Sequence, residues 1–144
     1  MAQESTKELT TLPVGRLGLI PLESCRPLGE KVNEWLVKWR NEREHDEINS
    51  FAFEGYRRDS YIVDVKTPRF GSGEGKGEIS ESVRGDDIYL MVDVCNHSMT
   101  YTMSGFTNLM SPDDHFQDLK RAIAAIGGKA RRVNVIMPYL YESR

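Results

Sequence analysis

The 144-residue sequence is poor in the residues that staple small domains together, with 2 cysteines and 3 histidines. Cys25 and Cys95 lie far apart in the chain, and neither belongs to a CxxC pair or a histidine-rich tract. This pattern argues against a zinc site and against a disulfide framework. We therefore expect no metal site and two reduced thiols, as in a cytoplasmic protein.

The sequence also lacks a long apolar run. No stretch approaches the roughly 20 apolar residues that a membrane-spanning helix needs. The first residues, MAQESTKELTTLP, are polar and include acids where a secretory signal would have its apolar core. We expect a cytoplasmic location and no membrane partner.

An excess of positive charge is missing as well, since the formal net charge is -3. Such a chain has no bulk attraction for nucleic acid, and any anionic ligand must be held by local groups. What is present is ordinary: 39% hydrophobic and 28% charged residues, enough to bury the core of one domain.

Hydrophobic patterning predicts the first half of an α/β fold. The apolar run Gly15 to Leu22 is bounded by Gly and Pro and predicts a buried strand. A helix is predicted from Pro27 to Arg43, because apolar residues recur at three- and four-residue spacings. Its expected buried stripe is Leu28, Val32, Trp35, Leu36 and Trp39. The charged stretch that follows, to Ser60, is interpreted as a helix tail and an exposed connection.

Two further apolar runs predict strands of a central sheet. Tyr61 to Val65 is β-branched and precedes a proline, and Asp87 to Val94 is almost continuously apolar, as in strands covered on both faces. Between Cys95 and Met110 the sequence is polar, rich in methionine and without clear period. That segment is interpreted as a loop or excursion.

SPDD opens a second helix. Ser111 can cap it and Pro112 suits its first position, while Asp113 and Asp114 complement the helix dipole. The dipole explanation of the two acids is favoured over a metal or acid–base pair. The expected buried stripe is Phe116, Leu119, Ile123 and Ile126, with Gly127 and Gly128 as the stop and a last strand from Arg131 to Tyr139.

The order of elements, strand, helix, strand, strand, helix, strand, indicates a layered α/β fold with a mainly parallel sheet. Residues 1–14 are predicted to be a flexible segment, and residues 15–144 one domain. His97 and His115 are explained by a surface loop and by the first turn of the second helix.

Four glycines, at 71, 73, 75 and 77, occupy alternate positions ahead of the apolar run that begins at Asp87. They resemble a phosphate loop only superficially, because GEGKGE lacks the GxxxxGK[ST] order and leads into a strand rather than a helix. On local physics alone a flexible hairpin tip is favoured.

Two longer stretches carry a family resemblance. FGSGEGKGEISESVRGDDIYLMV resembles the segment of ribose-phosphate pyrophosphokinases in which a Phe-x-x-Gly-Glu loop precedes Glu-Ser-Val-Arg-Gly and a buried strand. SPDDHFQDLKRAIAAIGGKARRVNVIMPYLYESR is similar to the family's next helix and strand and its Pro-Tyr-x-x-x-x-Arg turn. The resemblance implies the amino-terminal half of a two-domain enzyme with a phosphoribosyltransferase-like three-layer α/β fold. Residues 41–60 and 96–110 are longer than the family pattern.

The resemblance also implies an ATP site. Phe70 matches an aromatic that covers the adenine and is contributed by a neighbouring subunit, and Glu74 matches an acid of the same loop. Arg144 matches an arginine on the other side of the base. Ser72 stands where the family has Asp or Asn, so contacts to adenine or ribose at that position are open. Glu142 departs from the family's usual turn and lies beside this site.

Ser82 and Arg84 match positions that bind phosphate or an ADP effector between subunits. An equally weighted alternative is that SVRGDD makes a simple turn, with Arg84 paired to Asp86 or Asp87.

The implied activity is transfer of diphosphate from ATP, with Mg²⁺, to ribose 5-phosphate for nucleotide biosynthesis. The implied assembly is a homo-oligomer built from dimers, a hexamer by resemblance. The family's metal-binding His and its catalytic and ribose-phosphate loops lie in later segments, so we expect no catalytic residue in this chain and no turnover by it. The alternatives are a non-catalytic regulatory or interaction module of the same fold, and a flavodoxin-like domain that binds another ligand.

Overall fold

The computed structural model describes residues 12–43 and 55–143. The described part contains the strands β1 (Leu17–Pro21), β2 (Val65–Lys66), β3 (Glu78–Ile79), β4 (Asp87–Met91), β5 (Thr100–Met103), β6 (Phe106–Leu109) and β7 (Arg132–Ile136). Its α-helices are α1 (Arg26–Glu42) and α2 (Pro112–Ile126), and a single 3-10 turn, Glu23–Cys25, precedes α1. None of these helices is long and apolar enough to cross a membrane.

A parallel sheet in the order β1-β4-β7 forms the centre of the fold, with β4 between its two neighbours. Ile88, Leu90 and Val92 are fully buried on the face of the sheet that packs against α2. Leu119, Ala122 and Ile126 supply the matching face of α2. The prediction of a mainly parallel α/β fold with a buried central strand at this position is confirmed.

The predicted central strand at Tyr61 to Val65 is wrong in its place and length. This segment touches the sheet at its outer edge, through a single bridge between Ile62 and Leu19. Two backbone hydrogen bonds hold it there, from Leu19 to Tyr61 at 2.7 Å and from Val63 to Leu19 at 2.8 Å. Beyond Val63 the chain leaves the sheet to form β2, because its next partner is the antiparallel strand β3.

The α1 helix starts and ends close to the predicted bounds, but its buried stripe is wrong. Trp35 and Trp39 are 51% and 54% exposed, and Leu28 is 42% exposed. The helix instead approaches the sheet at Gly29, which packs against Pro21 of β1. There is no space for a side chain at this position, because an added Cβ would lie 2.4 Å from the proline Cβ. Val32 and Leu36 are half-buried, and the side chains of Trp35 and Trp39 are on the exposed side of the helix.

The α2 helix begins as predicted. Ser111 accepts a hydrogen bond from the Asp114 backbone and the Asp114 side chain accepts one in return, which forms a capping box. Gly127 ends the helix in the left-handed conformation, at φ 60°. One member of the predicted stripe is wrong, since Ile123 is 40% exposed.

The segment from Cys95 to Met110, interpreted as a loop or excursion, contains a β-hairpin. Strands β5 and β6 pair antiparallel, with Met103 opposite Phe106 at the tip. Ser104 and Gly105 form the two-residue turn, both with positive φ, as tight hairpins require. The segment therefore has regular structure. Its strands are not recognisable in the sequence, because the segment is polar and its apolar residues follow no clear period.

Candidate functional site

The glycine-rich segment forms a two-stranded ribbon, which we call the glycine ribbon and define as residues 65–79. Beyond β2 and β3 the ribbon continues through a bridge between Arg69 and Gly75, and its tip spans residues 70–74. Two backbone hydrogen bonds close the tip, from Phe70 to the Glu74 carbonyl at 2.8 Å and from Gly73 to the Phe70 carbonyl at 2.9 Å. The hairpin interpretation of the glycines is thus correct for the described structure.

Burial alternates along the returning strand of the ribbon. Gly73, Gly75 and Gly77 are half-buried, whereas the residues between them are exposed: Glu74, Lys76 and Glu78. This is the period of a strand whose inner face carries glycine and whose outer face carries charge. The spacing of the glycines is visible in the sequence, but the sequence alone does not distinguish a flexible hairpin tip from a strand packed closely on its neighbour.

The glycines allow the ribbon to lie directly on α2. An added Cβ at Gly77 would lie 2.4 Å from the Arg121 carbonyl oxygen, and one at Gly75 would lie 2.5 Å from Arg69 Nη1. Neither distance is possible for a real side chain without a shift of the surrounding atoms. These two glycines therefore serve packing, and they do not form a cradle for phosphate.

A buried ion cluster anchors the ribbon to α2 directly before its tip. Arg69 binds the Asp118 carboxylate with both terminal guanidinium nitrogens, at 2.7 and 3.1 Å. Arg121 donates to the same carboxylate at 2.6 Å. Burial raises the pKa of Asp118, while the positive charge of Arg69 acts in the opposite direction and favours the carboxylate. Two arginines on one carboxylate make the ionised form the one that this geometry holds.

A small pocket of about 200 Å³ lies between this cluster, the hairpin and the end of β1. Arg69, Asp118, Tyr101 and His115 are among its walls. His115 lies in the first turn of α2, as predicted, and is buried at 2% exposure. Its Nε2 lies 2.9 Å from the Asn96 carbonyl oxygen and so donates to it. This histidine ties the base of the hairpin to α2.

At the tip of the ribbon, three predicted site residues come together. Phe70 is 51% exposed. Ser72 donates to a Glu74 carboxylate oxygen at 3.1 Å, and the Glu74 backbone N–H lies 3.4 Å from the Ser72 hydroxyl oxygen. An aromatic face, a hydroxyl and a carboxylate therefore occupy one exposed turn.

The other predicted residues lie elsewhere or outside the described part. Arg144 is outside it, as are residues 1–11 of the predicted flexible segment and residues 44–54 of the predicted connection. The chain leading to Arg144 is held on α2 by Tyr141, whose ring stacks on Phe116 with 4.2 Å between centroids. The Tyr141 hydroxyl donates to Asp113 at 2.5 Å, and this hydrogen bond raises the pKa of Tyr141 to about 12.

Ser82 and Arg84 lie together in an exposed turn before β4, where the Arg84 N–H lies 3.5 Å from the Ser82 hydroxyl oxygen. The alternative pairing of Arg84 with Asp86 or Asp87 is not what the structure has. Asp86 is paired with Arg16 at 3.0 Å and Asp87 with Arg132 at 2.5 Å. The two acids stabilise the N-terminal ends of the strands and leave the Arg84 side chain at the surface.

A parallel three-stranded sheet with α1 on one face and α2 on the other defines a three-layer α/β domain. A family model described as the N-terminal domain of ribose phosphate pyrophosphokinase matches residues 17–144. The chain therefore belongs to this family, and the resemblance found in the sequence is confirmed. A comparison with curated proteins gives no match.

Proposed function

We propose that this chain is the ATP-binding and subunit-contact part of a ribose-phosphate diphosphokinase. The observation that carries the proposal is Phe70, a large aromatic ring 51% exposed at the tip of the glycine ribbon. Stacking an exposed aromatic ring on another flat ring system removes apolar surface from water and is favourable, and a purine base is such a ring system. Because the chain belongs to the ribose phosphate pyrophosphokinase family, we take this purine to be the adenine of ATP.

The chemistry of the tip suits a nucleoside. The Phe70 ring would stack on the adenine, and the Glu74 carboxylate would accept hydrogen bonds from an exocyclic amine or from ribose hydroxyls. Ser72 already donates to Glu74, which orients that carboxylate before any ligand binds. The guanidinium of Arg144, from a neighbouring subunit, would cover the opposite face of the base and approach the phosphates.

Self-association is the second part of the proposal, and exposed apolar residues around the edge strand β7 support it. Val133, Val135 and Ile136 are 37%, 44% and 38% exposed, and Leu140 in the following turn is 64% exposed. An edge strand with exposed apolar side chains on both of its faces is a surface that another protein chain can cover. A homo-oligomer built from dimers, by resemblance a hexamer, would cover them and bring Phe70 and Arg144 of different subunits together.

The exposed turn with Ser82 and Arg84 is proposed as a regulatory phosphate site at such a subunit contact. A hydroxyl and the N–H edge of an exposed guanidinium can both donate to phosphate oxygens. Mg²⁺ would accompany the nucleotide. Within residues 12–43 and 55–143 no three His, Cys, Asp or Glu side chains converge on one point, so we assign no metal ligand to this part of the chain.

Titration with ATP tests the proposal. Phe70→Ala and Arg144→Ala should each weaken ATP binding by about 1–3 kcal/mol, the size of one base-stacking contact. Trp35→Ala is the matched control, because Trp35 has the same 51% exposure but lies on α1. Equal ATP affinity in the parent protein and in both site variants would contradict the proposed adenine site.

An assay of ribose 5-phosphate-dependent AMP release separates the enzyme from the non-catalytic alternative. We expect no release from residues 1–144 alone, and release when they are joined to a domain that supplies the family's metal-binding His and catalytic loop, since phosphoryl transfer needs those positioned groups. ATP binding without AMP release by the joined protein would favour the regulatory module.

A further inference from the structure

We infer that the β5–β6 hairpin is a positioning element that holds the tip of the glycine ribbon in its nucleotide-binding shape, with Ser104 as the principal positioning residue. This inference rests on the proposed binding of ATP at Phe70 and Glu74. It assigns a role to residues 96–110, the segment that is longer than the family pattern.

Contacts between the hairpin and the ribbon run along one face of the hairpin. Opposed residues of an antiparallel pair lie on the same face, so Tyr101, Met103, Phe106 and Asn108 share a face. The Arg69 guanidinium lies over the Tyr101 ring, 5.1 Å from its centroid. Met103 Sδ lies against Gly73, at 2.9 Å from where a Cβ would stand. The hairpin therefore contacts the ribbon at Arg69, directly before the tip, and at Gly73 within it.

Ser104 makes the outermost contact, because its hydroxyl donates to the Gly71 carbonyl at 3.3 Å. The residue has a positive φ of 50°, in a turn position where glycine or asparagine is the easier choice. A serine held in this conformation indicates a use for its side chain. The contact to Gly71 provides that use.

The tip needs such support because, apart from the hydrogen bonds within the tip itself, few contacts hold it in place. Gly71 has no atom within 4 Å of a Cβ position, and Gly73 has a φ of 90° that other residues rarely adopt. Glycine loses more conformational freedom on ordering than other residues, so an unsupported tip would pay that entropy when it binds a ligand. The buried ion cluster holds Arg69, directly before the tip, and the hairpin extends that order to the residues between Phe70 and Glu74. Preordering of this kind improves affinity without adding contacts to the ligand.

Ser104→Gly is the test variant, because glycine adopts the positive φ of this turn and lacks the hydroxymethyl group that makes the contact. In the protein without nucleotide, amide hydrogen exchange of residues 70–74 should become faster, with the melting temperature unchanged. ATP affinity should fall by about threefold to tenfold, the usual net effect of one hydrogen bond. Ser104→Asn should restore both properties, since asparagine tolerates positive φ and its amide can donate to the Gly71 carbonyl. Thr107→Ser, on the opposite face of the same hairpin, is the control and should change neither.

The outcomes separate the two proposals. Faster exchange in Ser104→Gly, with no ATP bound by either protein, would support the positioning role and refute the adenine site. Unchanged exchange with unchanged ATP affinity would overturn the positioning role and leave the adenine site intact. Weaker ATP binding with unchanged exchange would also overturn it, because the hydroxyl would then act on the nucleotide directly.

Discussion

Arg69 and Asp118 form a two-pronged ion pair between the glycine ribbon and α2, with nitrogen–oxygen distances of 2.7 and 3.1 Å. Both side chains are almost fully buried, at 6% and 7% exposure. Phe70 follows Arg69 directly in the chain, so the ion pair sets where the exposed aromatic ring emerges.

Breaking this pair should strongly destabilise the fold. Asp118→Ala leaves Arg69 buried without a counter-charge, and we expect a loss of about 3–5 kcal/mol in the free energy of unfolding, measured by urea denaturation. Glu42→Ala is the control, because its pair with Lys38 is exposed and 3.9 Å long. That change should cost under about 1 kcal/mol. Similar losses in the two variants would show that the buried pair has no special weight.

Alanine at two of the four alternate glycines should separate close packing from open space. Gly77→Ala places a methyl group against the Arg121 carbonyl and should destabilise the protein by about 1–3 kcal/mol, measured by thermal or urea unfolding. Gly71→Ala meets nothing within 4 Å and should be neutral or slightly stabilising. A neutral Gly77→Ala would contradict the close packing of the ribbon on α2.

The Tyr141 hydroxyl should titrate late. Its hydrogen bond to Asp113 raises its pKa to about 12, above the usual value near 10 for an unfolded chain. Because the folded-state pKa is raised, the stabilisation by this contact is fully present below about pH 10 and is lost as the pH rises through 12. NMR of ¹³C-labelled tyrosine between pH 9 and 11.5 should show Tyr141 still protonated.

Asp113→Asn tests the cause of that shift, since it removes the carboxylate and keeps a side chain of similar size. The pKa of Tyr141 should then move towards its usual value, and Tyr141→Phe identifies the resonance. An unmoved Tyr141 pKa in Asp113→Asn would show that the hydrogen bond is not its source.

The two cysteines should differ sharply in reactivity. Cys25 is buried, and burial, with a smaller contribution from the negative charge of Asp93, raises the pKa of its thiol. Cys95 is exposed. A thiol reagent such as DTNB should modify Cys95 rapidly and Cys25 only on unfolding, because the thiolate is the reactive form. In Cys95→Ser the fast phase should disappear, and a fast phase that persisted would place Cys25 at the surface.

Local signals predicted the helix termini well. Ser111, Pro112 and Gly127 act within a few residues of their own positions, so their effect depends little on distant contacts. Sequence patterns were weaker for faces. Trp35 and Trp39 have helical spacing and would pack on a core, but the close approach of Gly29 to Pro21 determines which side of α1 meets the sheet.

The candidate site shows the same difference between residues recognisable from local sequence and residues that matter through distant contacts. The family resemblance of the FGSGE segment pointed to Phe70, Ser72 and Glu74, and the structure places all three in one exposed turn because they are close in the chain. Sequence reasoning missed Arg69, Asp118 and Ser104, which matter through contacts with residues far away in the chain. The polar segment around Ser104 has no apolar period, so only its contact with the ribbon identifies it.

The amino-acid sequence by itself determined the family, the capped helix and the buried strand at the centre, because each depends on local order or on an uninterrupted apolar run. Tertiary structure alone decided which face of each helix is buried, how the ribbon lies on α2 and what the hairpin touches. The physical reason is that burial and ion pairing are set by which surfaces meet, and distant segments meet only in the folded chain.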